Sequence, residues 1–172
     1  MIRRHFLLSL AALPALAACR DQDAVASLPP PREVTDTSVA QICGMTLTEH
    51  AGPKAQIFLR DMPDPYWFAS VRDALAYAIL PEMPKAIVVI YVNDMARAKN
   101  WDQPEPGTWI EASKAVYVLG SNHRGGMTAD EAIPFGDPDS ARRFALANGG
   151  RVVAYDKIPR DYILTSMSGD PQ

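Results

Sequence analysis

Two sulfur atoms two residues apart, in Cys43-Gly44-Met45, are the strongest chemical signal in this 172-residue chain. A thiolate and a thioether are soft donors, and they select Cu(I) over harder ions that prefer carboxylate and water. On an extended backbone the side chains at i and i+2 share one face, and Gly44 adds nothing to oppose a close approach. Two further thioethers stand where a loop would present them: Met95 ends Asn93-Asp94-Met95, and Met127 ends Gly125-Gly126-Met127, where glycine lets the backbone swing inward. Met62, Met83 and Met167 lie in Pro-flanked loops or the tail and are not assigned to the site. His50, shortly after Met45, and His123, four residues before Met127, compete as nitrogen donors, both ranked below Cys43 and Met45. Neither belongs to a His-x-x-x-His or His-Glu-x-x-His arrangement of the zinc type. Catalytic signatures are missing: there is no Gly-x-Ser-x-Gly elbow, phosphate loop or dinucleotide fingerprint. Ser70-Val71-Arg72-Asp73 reads as a helix capping box rather than a nucleophile.

The elements that position these donors begin after an export signal. Arg3 and Arg4 precede an apolar run from 6 to 18, shorter than the roughly 18 residues of a membrane-spanning helix. It ends in Leu16-Ala17-Ala18-Cys19, which resembles the lipobox of bacterial lipoproteins and implies cleavage before Cys19 and acylation of its thiol and amine. Residues 1–18 are read as a lipoprotein signal peptide and 19–40, with Pro29-Pro30-Pro31, as a flexible lipidated tether. Cys43 is then the single thiol of the mature domain. Two cysteines support neither a disulfide scaffold nor a Cys-x-x-Cys centre.

Downstream, Lys54–Leu59 and the β-branched Ala86–Val92 predict strands, the second one central, with a helix between them started by Ser70 and stopped by Pro81. The order repeats with a strand at Ser113–Leu119, a helix from about Asp139 to Asn148 and a strand at Arg151–Tyr155. Lys54-Ala55 with Leu59 matches Lys114-Ala115 with Leu119, and Phe68 and Phe135 each precede a helix. The expectation is an α+β fold of two similar small units, each with a helix packed on a short sheet. The units are placed at 41–100 and 101–165, with Asn100–Gly107 as linker and 166–172 as a disordered tail.

Seventeen Lys and Arg against twenty Asp and Glu give a net charge of −3. Removing residues 1–18 deletes two arginines and no acids, leaving −5. No basic stripe exists, so nucleic acid is excluded as a partner.

Cys43-Gly44-Met45, Gly52-Pro53-Lys54-Ala55-Gln56-Ile57, Trp67-Phe68-Ala69-Ser70-Val71-Arg72-Asp73, Tyr91-Val92-Asn93-Asp94-Met95 and Gly125-Gly126-Met127, in this order, resemble the NosL family of copper-binding lipoproteins. The resemblance implies a periplasmic Cu(I) chaperone, lipid-anchored at Cys19. It would deliver metal for the copper–sulfur centre of nitrous oxide reductase together with a membrane transporter complex of the ABC type. It also implies two similar α+β units related to the organomercurial lyase. That enzyme rests on paired cysteines and an aspartate, and here one thiol remains. The resemblance carries over Cys43 and Met45 as copper ligands, with Met95 and Met127 after them. The alternatives are a structural or interaction lipoprotein without metal, and a lyase-like enzyme using Cys43.

Overall fold

Glycine and proline punctuation cuts the chain into short strands that a computed structural model, describing residues 27–83 and 86–165, assembles into two antiparallel sheets. Cys19, the signal segment and the 166–172 tail lie outside the described residues. The first sheet holds β1 (Ala55–Leu59), β2 (Tyr66–Phe68), β3 (Ile87–Asn93) and β4 (Trp109–Glu111) in the order β2-β1-β3-β4. The second holds β5 (Val116–Arg124), β6 (Asp130–Phe135) and β7 (Arg151–Ala154) in the order β6-β5-β7. Helix α1 (Val71–Ile79) follows β2, α2 (Pro138–Asn148) follows β6, and the short α3 (Arg160–Leu164) closes the described chain. Both halves run strand, strand, helix, strand, with the first strand between the other two, and the first half adds β4 at the edge of its sheet. The duplicated α+β architecture expected from element order is present.

Local chemistry explains the helix ends. The Ser70 side chain accepts the Asp73 N–H at the start of α1, and Leu80 is turned extended ahead of Pro81, which ends it. The Asp137 carboxylate accepts the Asp139 and Ser140 N–H groups, Pro138 takes the first turn of α2, and Gly149 ends it at φ +76°. On β5 alternate side chains go to opposite faces. Tyr117 and Leu119 join one core with α1, β1 and β3, while Val118 packs with Ile133, Phe135 and Ala141 beneath α2. The first cluster draws on both halves and joins them, while smaller clusters lie within each half.

Three boundaries differ from the sequence reading. Trp109-Ile110-Glu111 pairs with β3, so the first sheet runs past residue 100, and 100–107 connects β3 to β4 rather than the two halves. The halves meet instead at Ala112–Lys114, a single 3₁₀ turn. A Pro-rich connection looks the same in sequence whether it joins strands or domains, and three residues are too few for a periodicity. β2 and β6 are additional hairpin partners, hidden by flanking Pro63 and Pro65 and by the internal Pro134. The tether is also shorter than expected, because residues 29–34 lie on the first sheet. The Tyr91 hydroxyl donates to the Pro29 carbonyl (2.8 Å), the Gln56 amide brackets the backbone of Arg32 (2.9 Å on both sides), and the Glu33 carboxylate takes the Trp109 indole N–H (3.0 Å). Extended proline-rich backbone leaves its polar groups unpaired, and these side chains supply the partners.

The seam between the halves carries buried charge. Glu131 on β6 is 2% exposed, and its Oε1 accepts the N–H of Arg72 in the first turn of α1 and that of Ala132, both at 2.8 Å. Arg72 reaches back to the Asp130 and Ile163 carbonyls, with its guanidinium 4.9 Å from the centre of the Tyr162 ring. In the opposite direction, Asp94 of the first half accepts the Gly136 N–H (2.7 Å) at the approach to α2. Burial pushes Glu131 up to about 7, against the backbone N–H groups of Arg72 and Ala132 and the Ser70 hydroxyl, which favour its ionised form. Burial lowers the Lys54 ammonium to about 8, and Glu131 and Asp102 hold it up.

Between the ordinary carboxyl value of 4.5 and about 7 the folded chain therefore binds a proton at Glu131 that the unfolded chain has lost. Stability falls as pH rises through that window, by about 3 kcal/mol at most. Lys54 acts oppositely between about 8 and 10.5, where the unfolded chain binds the extra proton and stability rises with pH. Urea midpoints measured from pH 4.5 to 7 should fall in the native protein and flatten in Glu131→Gln; equal slopes in the two would refute the assignment.

Candidate metal centre

The segment that carries Cys43 is a tight turn sewn to the free edge of the first sheet. Val39 and Thr46 form an antiparallel bridge, Ala40 N–H donates to the Met45 carbonyl (2.8 Å), and Gly44 N–H to the Ala40 carbonyl (2.9 Å). Gln41 N–H donates to Trp67 of β2 (2.8 Å), which joins the turn to the sheet. Gly44 sits at φ +70° with open space where a Cβ would stand, so its role is conformational rather than steric. This replaces the extended geometry expected for Cys43-Gly44-Met45. Cys43 is half-buried against Ala40, Leu47 and Ala69, and Met45 is 45% exposed.

The chain then makes a 3₁₀ turn at Leu47–Glu49, closed by His50 N–H to the Leu47 carbonyl (3.2 Å), and fully buried Leu47 nails it to the core. The turn returns His50 to the thiol: Cys43 Sγ and His50 Nε2 are 3.6 Å apart. His50 is buried, and its carbonyl faces the Gln103 amide at 3.5 Å, while Thr48 takes the same amide at 2.8 Å. Nearby, burial pushes the Asp73 carboxyl up, and Arg72 and His50 pull it back.

The second half closes over this pair. Gly126 lies so close that an added Cβ would stand 2.8 Å from the Ala69 carbonyl oxygen and 3.3 Å from His50 Cβ. Beside it, a Cβ on Gly125 would collide with Oε2 of Glu131, and one on Gly52 would stand 3.4 Å from Gly125 Cα. Met127 is the next residue, in the 3₁₀ turn Gly126–Thr128. The turn that carries one candidate donor from the second half is thus packed against His50 and Ala69 of the first.

The other candidates lie elsewhere. Met95 packs with Val118, Ile133, Phe135 and Trp101 beneath α2, in a cluster separate from that of Cys43, and its N–H donates to the Pro134 carbonyl (2.9 Å). His123 packs at a tilt among aromatic rings, 4.6 Å from Trp101 and 5.3 Å from Phe144. Of the two competing nitrogens, His50 is the one at the thiol. Among the described residues no three His, Cys, Asp or Glu side chains converge, so nothing resembles a carboxylate or zinc cage. One thiol, one imidazole and thioethers are what the site offers. The sequence reading missed the weight of His50 and the roles of Glu131, Lys54 and Gln103. For His50 a signal existed, since a turn-forming Thr-Leu-Thr between two donors can bring them back together.

The sequence model of the NosL family matches residues 31–163. The chain is 50% identical over 166 residues, 96% of its length and 85% of the relative's, to the copper-binding lipoprotein NosL of Achromobacter cycloclastes. It is 30% identical over 154 residues, 89% of its length and 78% of the relative's, to the protein of that name from Stutzerimonas stutzeri. Its fold superimposes on the crystal structure of the copper chaperone NosL from Shewanella denitrificans with a TM-score of 0.71 at 28% identity, covering 77% of this chain and 98% of that one. On the family match and on these identities, the chain belongs to the NosL family.

Proposed function

We propose that this chain is a membrane-anchored Cu(I) chaperone, held at the periplasmic side of a bacterial membrane by lipid on Cys19. It would supply copper for the copper–sulfur centre of nitrous oxide reductase, working with the membrane ABC-type complex that matures that enzyme. The observation that carries the metal half of the reading is the Cys43–His50 pair under the Gly125-Gly126-Met127 turn. The names of the relatives support the copper and the lipoprotein. The delivery target and the partners come from the family resemblance.

The 3.6 Å between the thiol sulfur and the imidazole nitrogen is a span that one ion bonded to both can bridge. A third, softer donor then completes the set, and Met45 and Met127 are the thioethers whose backbones stand beside the pair. Binding replaces the thiol proton by the ion, so copper uptake releases a proton.

Release needs an open side. Val39, Ile42 and Met45 are exposed around the thiol, 49%, 48% and 45% respectively, and no residue from 38 to 48 is charged. An incoming sulfur or imidazole donor can therefore approach across an apolar rim and bind before the outgoing sulfur leaves, with no free ion released.

An anaerobic Cu(I) competition titration of the chain from residue 20 onward tests the reading. The native protein should outcompete a moderate chelator, and Cys43→Ala/Met45→Ala should lose the site while keeping its circular dichroism. A native protein that fails against the chelator would leave an interaction lipoprotein as the better account. In the same assay His50→Ala should weaken binding at least tenfold and His123→Ala less than twofold; the reverse ranking would move the nitrogen donor to the aromatic cluster.

A further inference from the structure

We propose that Glu131 is a positioning residue through which the second half of the chain places the Gly125-Gly126-Met127 turn over the metal site of the first. The inference rests on the Cu(I) reading above and assigns the coupling that completes its donor set.

A buried carboxylate at this position needs an explanation. Its Oε2 is buried without a hydrogen-bond partner, an arrangement that lowers stability relative to an apolar side chain of similar volume. What the carboxylate supplies instead is direction. Oε1 takes one N–H from α1 and one from β6, which sets the register of the first half's helix against the second half's strand. Oε2 presents a wall to the turn that precedes β6. Gly125 rests on that wall, so close that a Cβ would collide with it, and Gly126 rests on Ala69 and His50 on the other side. The turn is closed on itself by Gly125 N–H to Ala129 (3.0 Å) and Thr128 N–H to Gly125 (3.2 Å), so it moves as one piece with β6. Bounded by Glu131 and by Ala69 with His50, it has one seat. Two more contacts hold the frame: Tyr162 donates its hydroxyl to the Glu131 carbonyl (2.9 Å), and Lys54 sets its ammonium charge within reach of the carboxylate.

A leucine at this position has no Oε1 to accept the two N–H groups and no Oε2 against Gly125, so it removes the register and changes the wall. Glu131→Leu in the full chain should stay folded by circular dichroism and lower Cu(I) affinity at least tenfold. Its copper X-ray absorption should show one sulfur neighbour fewer, as should that of Met127→Ala. The double variant should bind no more weakly than the weaker single one, because both remove the same donor. Glu131→Gln keeps an oxygen for the Arg72 and Ala132 N–H groups and should restore the sulfur count and bring affinity within threefold of native. Val118→Ala, a core truncation under α2 that touches none of these contacts, controls for lost stability and should keep the sulfur count. If Glu131→Leu does not fold, Gly125→Ala carries the test, since its Cβ pushes the turn off the wall while leaving the Oε1 bonds, and it should give the same absorption signature.

Native affinity and sulfur count in Glu131→Leu or Gly125→Ala would overturn the proposal, as would additive losses in the double variant. An unchanged Met127→Ala would overturn it too, while the Cys43 site stood. Cys43→Ala with native affinity would instead sink the copper reading itself.

Discussion

Gly126 and Ala69 are in contact across the two halves so closely that a single methyl group would stand 2.8 Å from a carbonyl oxygen and 3.3 Å from Cβ of His50, whose imidazole meets the Cys43 thiol. The seam can close to that distance only because glycine occupies three of its positions, Gly52, Gly125 and Gly126, each facing backbone or a fixed side chain. Close packing of this kind leaves little room for adjustment, since protein interiors transmit small displacements rather than absorbing them. The placement of the second half relative to the first is therefore part of the site, although most of the site's side chains come from one loop.

The duplication supplies the means. Two copies of a strand-strand-helix-strand unit share one core, with α1 between them, and each sends a carboxylate to the helix approach of the other: Glu131 to α1 and Asp94 to the residue before Asp137. Such exchanged carboxylates give orientation to an interface whose apolar contacts alone would tolerate sliding. Small units of this size bury too little surface to stand alone. Merging their cores stabilises both, and the directional bonds across the seam select one docking.

Much of this was legible in the residues. Ser70, Pro81, Asp137-Pro138 and Gly149-Gly150 mark both long helices to within a residue or two, and the match of Lys54-Ala55 to Lys114-Ala115 marks the repeat. Strands of three residues escape any periodicity, which is why Trp109–Glu111 was placed in the wrong half. At the candidate site, Cys43 stands out by its chemistry, whereas its pairing with His50 depends on the 3₁₀ turn at Leu47 and on Gly44 adopting φ +70°. Glu131 gave no signal. A glutamate next to an aspartate at the head of an apolar run reads as solvated, and only the fold reveals that this one faces a neighbouring helix rather than water.

The docked segment at residues 29–34 has a mechanical meaning. Tyr91, Gln56 and Trp109 grip it on the first sheet several residues before the turn that carries Cys43 begins at Ser38. Any pull on the leading end of the chain loads those hydrogen bonds first, and they stand on β1, β3 and β4 of one sheet. The clamp works as a strain relief works on a cable. The chain can be tugged, tilted or thermally jostled at its front end while the distance between a sulfur and a nitrogen, a few residues further on, is left undisturbed.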